Sequence, residues 1–341
     1  MKICVESSMV FPLPWRGYAG LEIIAWECAR GLAARGHEVA LIAPDGSQCP
    51  GVQMIHAGPP GTPEDKAYST YWQHLPHFDV IISHGWTKPA YMLKREGRLP
   101  APVLGVCHAP VDTMFKSLPQ VDKPCFVLIS DDQRVHFENL YGRPGRTCRN
   151  GIDTNFYRSL NMPRTDRFLF LARFSSVKSP DMAIEACLQA GVGLDLVGDT
   201  TITNEPELLA QCRRWADGKQ IRIIGGIPRG ECVYWYSQAH AMIHPNMRFR
   251  EPFGLAPVEA MACGTPVIAW DNGAMRETID LTCGHLDTSI DGLVATIKEF
   301  AKGIPPEMRA ACRKQAEKFT LARMVERYEE LCFEAVSTGG W

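Results

Sequence analysis

The chain has 341 residues, enough for two domains each with its own core, and 45% hydrophobic against 22% charged residues mark a water-soluble globular class. A formal net charge of -2, with 16 Lys+Arg against 15 Asp+Glu in residues 1–160, excludes a general polyanion binder. No run approaches the roughly 18 apolar residues of a membrane span, and the N-terminus turns polar at Glu6, so neither a span nor a signal peptide is expected.

Short apolar runs alternate with helical periodicity, the pattern of α/β domains built on parallel sheets. Residues 1–5 read as a buried strand. The loop 11–20, with Pro12, Pro14, Gly17 and Gly20, leads into a helix whose Leu21, Ile24, Cys28 and Leu32 share one face. Gly36 ends that helix before a strand at 39–43. Further strands are expected at 52–56, 79–83, 102–107 and 125–129, then a helix capped by Asp131 or Asp132 and ending near Gly142. Residues 142–166 read as a connection. A second alternation follows: strands at 168–172, 193–197, 221–224, 240–243 and 266–270, and helices at 180–190, 205–216, 230–239, 256–263, 290–302 and 305–317. An amphipathic helix covers 319–336. We expect an N-terminal domain of residues 1–158 joined by 319–341, and a C-terminal domain of 159–318.

Thirteen cysteines are scattered singly and no Cys-x-x-Cys occurs. Most lie in apolar runs, where a free thiol serves as a small hydrophobe, so a reducing, cytoplasmic setting is expected, with no disulfide framework and no zinc site. The histidines show no paired metal spacing, and no Asp-x-Asp stands ready to hold a divalent ion against a diphosphate.

The most informative segment runs from Arg250 to Ile268. It places Glu251 on a loop broken by Pro252 and Gly254, and Glu259 in the first turns of a helix that Gly264 ends. A loop entering a helix N-terminus offers amide donors and partial positive charge to a phosphate. Carboxylates beside it can accept hydrogen bonds from sugar and ribose hydroxyls. Together these describe a site for a nucleotide sugar. Arg173 ends a strand and Lys178 follows five residues later; such a pair is ordinarily solvated, but before a helix it can straddle a diphosphate. With the helix dipole it would do a metal's work. Gly225 and Gly226, followed by Ile227, end another strand in a turn that lets backbone approach a flat base. His108 follows the strand 103–107. Trp15 to Glu22 has no Gly-x-Gly-x-x-Gly pattern, so dinucleotide binding is not supported.

These residues together resemble the family-4 retaining glycosyltransferases of the GT-B fold, over nearly the whole chain and in order. Glu251 to Glu259 matches that family's Glu-x7-Glu signature, with Phe253-Gly254-Leu255 inside it and Ala260-Met261-Ala262-Cys263-Gly264-Thr265-Pro266-Val267 after it. Asn150-Gly151-Ile152-Asp153 is similar to its linker, and Gly36-His37-Glu38-Val39 to the turn after its first helix. The resemblance implies two Rossmann-like doubly wound domains facing across a cleft. It implies that Glu251 contacts the donor sugar, Glu259 the ribose, and the backbone of Pro252, Phe253, Gly254 and Leu255 the sugar and phosphates. Arg173 and Lys178 would grip the diphosphate, Gly20 would lie under the β-phosphate, and His108 would lie beside the transferred sugar. Two departures stand out: Ala19-Gly20 replaces Gly-Gly, and Ser179-Pro180 follows Lys178 where glycine is usual. The segment 280–287 lacks the usual ending and carries no site.

The expected activity is therefore metal-independent transfer of a sugar from a nucleoside diphosphate, UDP ahead of GDP, with retention and no cofactor. A nucleotide-sugar epimerase and a non-catalytic nucleotide-sugar-binding protein are the alternatives. The acceptor stays open among a saccharide, a lipid-linked sugar, a natural product and a modified base, as does the oligomeric state. Residues 57–77 and 84–118 are expected on the acceptor side, where Tyr68, Tyr71, Trp72, Trp86 and Phe115 can stack or simply pack. No nucleic-acid or membrane signature is present.

Overall fold

In the computed structural model, which describes residues 1–17, 19–85, 87–114, 121–201, 203 and 205–341, the apolar runs become the strands of two parallel sheets. Trp86 and Phe115 lie outside the described residues, as does Tyr18. Residues 1–15, 19–151 and 321–341 form one compact unit, and residues 152–320, with Arg16 and Gly17, form another.

The first unit holds β1 (Lys2–Glu6), β2 (Glu38–Ala43), β3 (Gln53–His56), β4 (Val80–Ser83), β5 (Val103–Cys107), β6 (Phe126–Leu128) and β7 (Arg146–Thr147), in the order β3-β2-β1-β4-β5-β6-β7. Every neighbouring pair is parallel. Strands β4 and β5 are buried along their whole length, which is why they read as continuous apolar runs rather than alternating ones. The second unit holds β8 (Phe168–Leu171), β9 (Leu194–Val197), β10 (Ile221–Gly225), β11 (Met242–His244), β12 (Val267–Trp270) and β13 (Gly284–Asp287), ordered β10-β9-β8-β11-β12-β13 and again all parallel. Its longer helices, Pro180–Ala190, Pro206–Trp215, Arg229–Gln238, Leu255–Ala262, Ile290–Ala301 and Pro306–Ala316, begin and end within about two residues of the expected bounds, while the short helix Met275–Thr278 was not expected. Among the described residues no helix is long and apolar enough to cross a membrane.

In each sheet the chain winds outward one way and then restarts on the other side of its first strand. The reversal falls between β1 and β4 in the first unit and between β8 and β11 in the second. All strands being parallel, the loops that follow them leave from one edge, and the reversal opens a crevice there for ligands.

Several local expectations need correction. Ser130, not Asp131 or Asp132, caps the helix Asp131–Tyr141: its hydroxyl accepts from the Gln133 amide at 3.0 Å. A hydroxyl in extended backbone reaches that amide, whereas the two aspartates already lie in the first turn, where they favour the positive end of the helix. The expected face of the helix Gly20–Ala34 is too narrow. Leu21 is only half-buried, while Ile23, Ala25 and Ala29 are covered too. The extra cover comes from the C-terminal helix Leu321–Thr338, which buries Met324, Val325, Tyr328, Leu331, Cys332 and Ala335. Strands β7 and β13 were not foreseen, because two residues containing Arg, and Gly-His-Leu-Asp, carry no strand-like pattern. All thirteen cysteines are buried free thiols, as the apolar runs around them indicated.

Gly31 is the contact point of the two helices: a Cβ there would overlap the methyl carbons of Val325. Gly31→Ala should gain about 1 kcal/mol in helix propensity and lose roughly 1–3 kcal/mol to overpacking, for a net loss. Urea denaturation should show this loss, and Val325→Ala in the same chain should recover it.

Candidate active site

The two loops at the reversal of the second sheet carry most of the foreseen residues. After β8 come Arg173, then a tight turn Ser176–Lys178, then Ser179 with φ +55°. After β11 come Asn246, Phe249 and Glu251. Lys178 Nζ lies 2.6 Å from Glu251 Oε2 and 5.2 Å from the centre of the Phe249 ring. His244 Nε2 is 3.3 Å from the same oxygen, and the Asn246 amide also donates to it. Glu251 is 5% exposed. Burial would raise its pKa, but the Lys178 ammonium and the bond from His244 hold the carboxyl well below the usual carboxylate range. All these bonds converge on Oε2. Among the described residues none engages Oε1.

The Glu251 backbone is fixed from a third loop, after β12. Ala274 N–H donates to the Glu251 carbonyl at 2.9 Å, and the Asn272 amide donates to the carbonyls of Phe249 (2.9 Å) and Asn246 (3.2 Å). Gly273, at φ +62°, passes so close that a Cβ would overlap the Glu251 backbone. Arg248 and Asp181 form a second clamp between the loops, with bonds of 2.9 and 2.7 Å.

From Glu251 the chain passes through Pro252 and Phe253, both buried, Phe253 lying 5.5 Å from Phe319 edge to face. Gly254, at φ +87°, then occupies the N-cap position, with no side-chain cap on the first amides of the helix. Leu255 is half-buried. Such a first turn leaves N–H donors without intrahelical acceptors. The other end of the helix is answered by three arginines. Arg164 donates to the Cys263 carbonyl (2.8 Å), Arg313 to that of Ala262 (3.2 Å) and Arg309 to that of Gly264 (3.4 Å). Cations there favour the helix dipole.

Glu259 lies within this helix, 4% exposed, and accepts a 2.9 Å bond from Tyr236 Oη. Burial raises its pKa, opposed by the Arg229 charge and by bonds from Tyr157 and Tyr236. Arg229 in turn lies over the Tyr157 ring. Glu259 is therefore tied into a tyrosine–arginine cluster that its position in the segment did not reveal. Arg173 is exposed and makes no ion pair or side-chain hydrogen bond among the described residues. Gly226 lies beside the end of β9, where a Cβ would overlap the Asp199 carboxylate, and Ile227 beyond it is half-buried.

Sequence reasoning missed His244, Asn246, Asn272 and Gly273. Their signal was positional: His244-Pro245-Asn246 and Asp271-Asn272-Gly273 each follow a buried apolar run, at the strand ends where ligands bind.

In the first unit His108 follows β5, and its Nε2 lies 2.9 Å from His84 Nδ1. Gly20 is the first residue of the helix Gly20–Ala34. Beside the reversal, the carboxylate of Glu6 accepts from Tyr71 and Ser83, and that of Glu22 from Ser8 at 2.6 Å. Burial pushes Glu6 up to about 7, against those two bonds, and pushes Glu64 up to about 7, helped by the charge of Glu6. Tyr71 is thereby a core residue, Tyr68 packs edge-on against it, and Trp72 lies under the Arg98 guanidinium.

Two doubly wound units of parallel strands, each with a reversal beside its first strand, are those of the GT-B fold. Residues 153–319 match the family described as glycosyl transferases group 1, and residues 18–156 match glycosyltransferase family 4. The chain belongs to the glycosyltransferases. It is 27% identical over 330 residues to a D-inositol 3-phosphate glycosyltransferase of Thermobifida fusca, covering 76% of this chain and 74% of that relative. A relative of the same name from Frankia alni is 25% identical over 325 residues, covering 76% and 79%. The fold is shared with sucrose-phosphate synthase from Thermosynechococcus elongatus (TM-score 0.79, 19% identity, 99% of each chain). It is shared also with Anabaena HepE in complex with UDP and glucose (TM-score 0.75, 18% identity, 97% and 98%).

Gly273→Ala should displace Glu251, lowering both the melting temperature and the transfer rate, the latter at least about tenfold. Gly230→Ala, whose Cβ would meet nothing within 4 Å, should keep both. Glu6 yields a pH prediction. Its folded pKa of about 7 lies above the 4.5 of an ordinary glutamate, so the fold binds its proton more tightly than the unfolded chain does. That contribution is complete below pH 4.5 and is lost as pH rises through 7, up to about 3 kcal/mol. Urea denaturation between pH 5 and 8 should show the decline, and Glu6→Gln should flatten it.

Proposed function

We propose that this chain transfers a sugar from a nucleoside diphosphate donor, with retention at the anomeric carbon and without a metal ion. One observation carries this reading: a buried carboxylate, held ionised by Lys178, has one oxygen saturated and the other open. An ionised carboxylate oxygen is acceptor-only, so Glu251 Oε1 suits a donor-sugar hydroxyl. Arg173 and Lys178, with the amides from Phe253 to Leu255, neutralise the charge that develops on the leaving diphosphate, the task a metal would otherwise perform. Glu259 takes the ribose, Gly226 and Ile227 border the base, Gly20 lies under the β-phosphate, and His108 contacts the transferred sugar. UDP is preferred to GDP; HepE, of the same fold, has been solved with UDP-glucose, which supports that order.

The acceptor is an uncharged or amino-bearing polyol. The two relatives are named for a phosphorylated cyclitol. Here Glu6, Glu22 and Glu64 stand beside the first unit's reversal without a Lys or Arg ion pair among the described residues. Among the described residues no cation is paired there to meet a phosphate, and the ionised fraction of these carboxyls repels it.

A thermal-shift panel of UDP-, GDP- and ADP-sugars identifies the donor, and a chelator should leave turnover unchanged. Glu251→Gln and Lys178→Ala should each lower transfer on the order of 100-fold or more. Lys178→Ala should also reduce stability, by up to about 3 kcal/mol, because it strands a buried carboxylate. Near wild-type turnover in either variant would overturn the assignment of that residue. Offered inositol and inositol 3-phosphate in turn, the enzyme should glycosylate the phosphate ester more poorly. An epimerised donor without acceptor, or tight donor binding with no turnover, would replace transfer as the activity.

A further inference from the structure

His84 follows the last residue of β4 and is fully buried, its backbone amide donating to the Glu6 carbonyl at 2.9 Å. Its ring lies 5.2 Å from that of His108 at an interplanar angle of 28°, and the Tyr328 ring meets it edge-on at 5.5 Å. His84 Nδ1 and His108 Nε2 are 2.9 Å apart, a hydrogen-bond distance. Burial lowers the pKa of both rings, that of His108 to about 4, so near neutral pH two uncharged imidazoles share one hydrogen. The remaining nitrogen of His84, Nε2, is buried with no hydrogen-bond partner among the described residues.

That orphan decides which ring donates. If His108 Nε2–H donated to His84 Nδ1, the His84 proton would sit on Nε2 as a buried N–H with no acceptor. If His84 Nδ1–H donates, His84 Nε2 is a bare lone pair. Buried N–H groups without an acceptor are the rarer case, and underused acceptors are better tolerated. A neutral imidazole carries one proton, so accepting at Nε2 forces the His108 proton onto Nδ1. No described residue bonds His108 Nδ1.

We propose that His84 is a positioning residue that locks His108 in the Nδ1–H tautomer, so that His108 meets its ligand as a hydrogen-bond donor to an oxygen. Its Nε2 is then occupied and cannot serve as a general base. The role for catalysis rests on the proposed contact between His108 and the transferred sugar; the tautomer itself does not.

The test is long-range proton–nitrogen NMR on the wild-type chain with labelled histidine, resonances being assigned with His84→Asn and His84→Phe. His108 should show a protonated Nδ1 and a bare Nε2. A protonated His108 Nε2 would overturn the proposal whatever the enzyme's activity. In UDP release from UDP-glucose, His84→Phe keeps a ring against Tyr328 but removes the donor. It should lower kcat about tenfold or more with KM little changed, and return His108 to a mixture of tautomers. His84→Asn places an amide N–H near the lost Nδ1–H and should recover most of kcat. Wild-type kcat in His84→Phe would overturn the catalytic role. If that variant fails to fold, the wild-type spectrum and His84→Asn decide. A loss of turnover in all chains with the expected tautomer present would count against the transferase reading alone.

Discussion

A carboxylate removed from water must find compensating charge or take up a proton, and Glu251 finds it in Lys178 at 2.6 Å. The partners belong to different loops, one following β8 and the other β11, so the pair closes the reversal of the second sheet. Much of the nearby structure serves that closure. Ser179 accepts a left-handed backbone one residue after Lys178, a conformation that costs a non-glycine residue about 1–2 kcal/mol. Its hydroxyl returns part of this by donating to the Ser176 carbonyl at 3.1 Å. Arg248 and Asp181 brace the same loops, and the loop after β12 supplies backbone and amide donors from behind.

The two units repeat one winding and fill their reversals with opposite electrostatics. In the second, cations and helix amides surround a carboxylate that stays ionised. In the first, carboxylates whose protons are held to near neutrality stand near two histidines held uncharged. The former arrangement combines cationic and amide donors with an acceptor-only carboxylate oxygen. The latter presents neutral donors and acceptors near pH 7 and below.

Much of this was legible in the chain. Parallel strands buried on both faces announce themselves as unbroken apolar runs, and Pro and Gly mark the helix ends, so most of the second unit's elements, β13 and the short helix Met275–Thr278 apart, were placed within a few residues. Glu251, Glu259, Arg173 and Lys178 stood out because their spacing fits a known segment. What stayed hidden was pairing across distant sequence. Nothing in Asn246 or Asn272 says that their amides hold Glu251 and its loop. Nothing in Tyr157, Tyr236 and Arg229 says that they gather on Glu259. His84 and His108 are 24 positions apart and meet only because β4 and β5 are neighbours. Edge strands such as β13 escaped for the opposite reason, since their residues are dictated by neighbouring backbone rather than by an apolar pattern.

The chain leaves the first unit after residue 151 and re-enters it at 321, and just inside the second unit Ile152 and Thr320 lie side by side as a parallel bridge. Ile152 N–H also donates to the Phe319 carbonyl at 2.9 Å. Apart from Arg16 and Gly17, which cluster with it, the second unit is thus one continuous stretch of polypeptide, residues 152–320, whose two ends meet. A gene fragment encoding 152–320 alone would retain every strand of its sheet. The first unit could be rebuilt without it by joining residue 151 to 321 through a few residues, since the excised ends are neighbours. Evolution could likewise exchange residues 152–320 as a cassette while the last helix keeps the first unit whole.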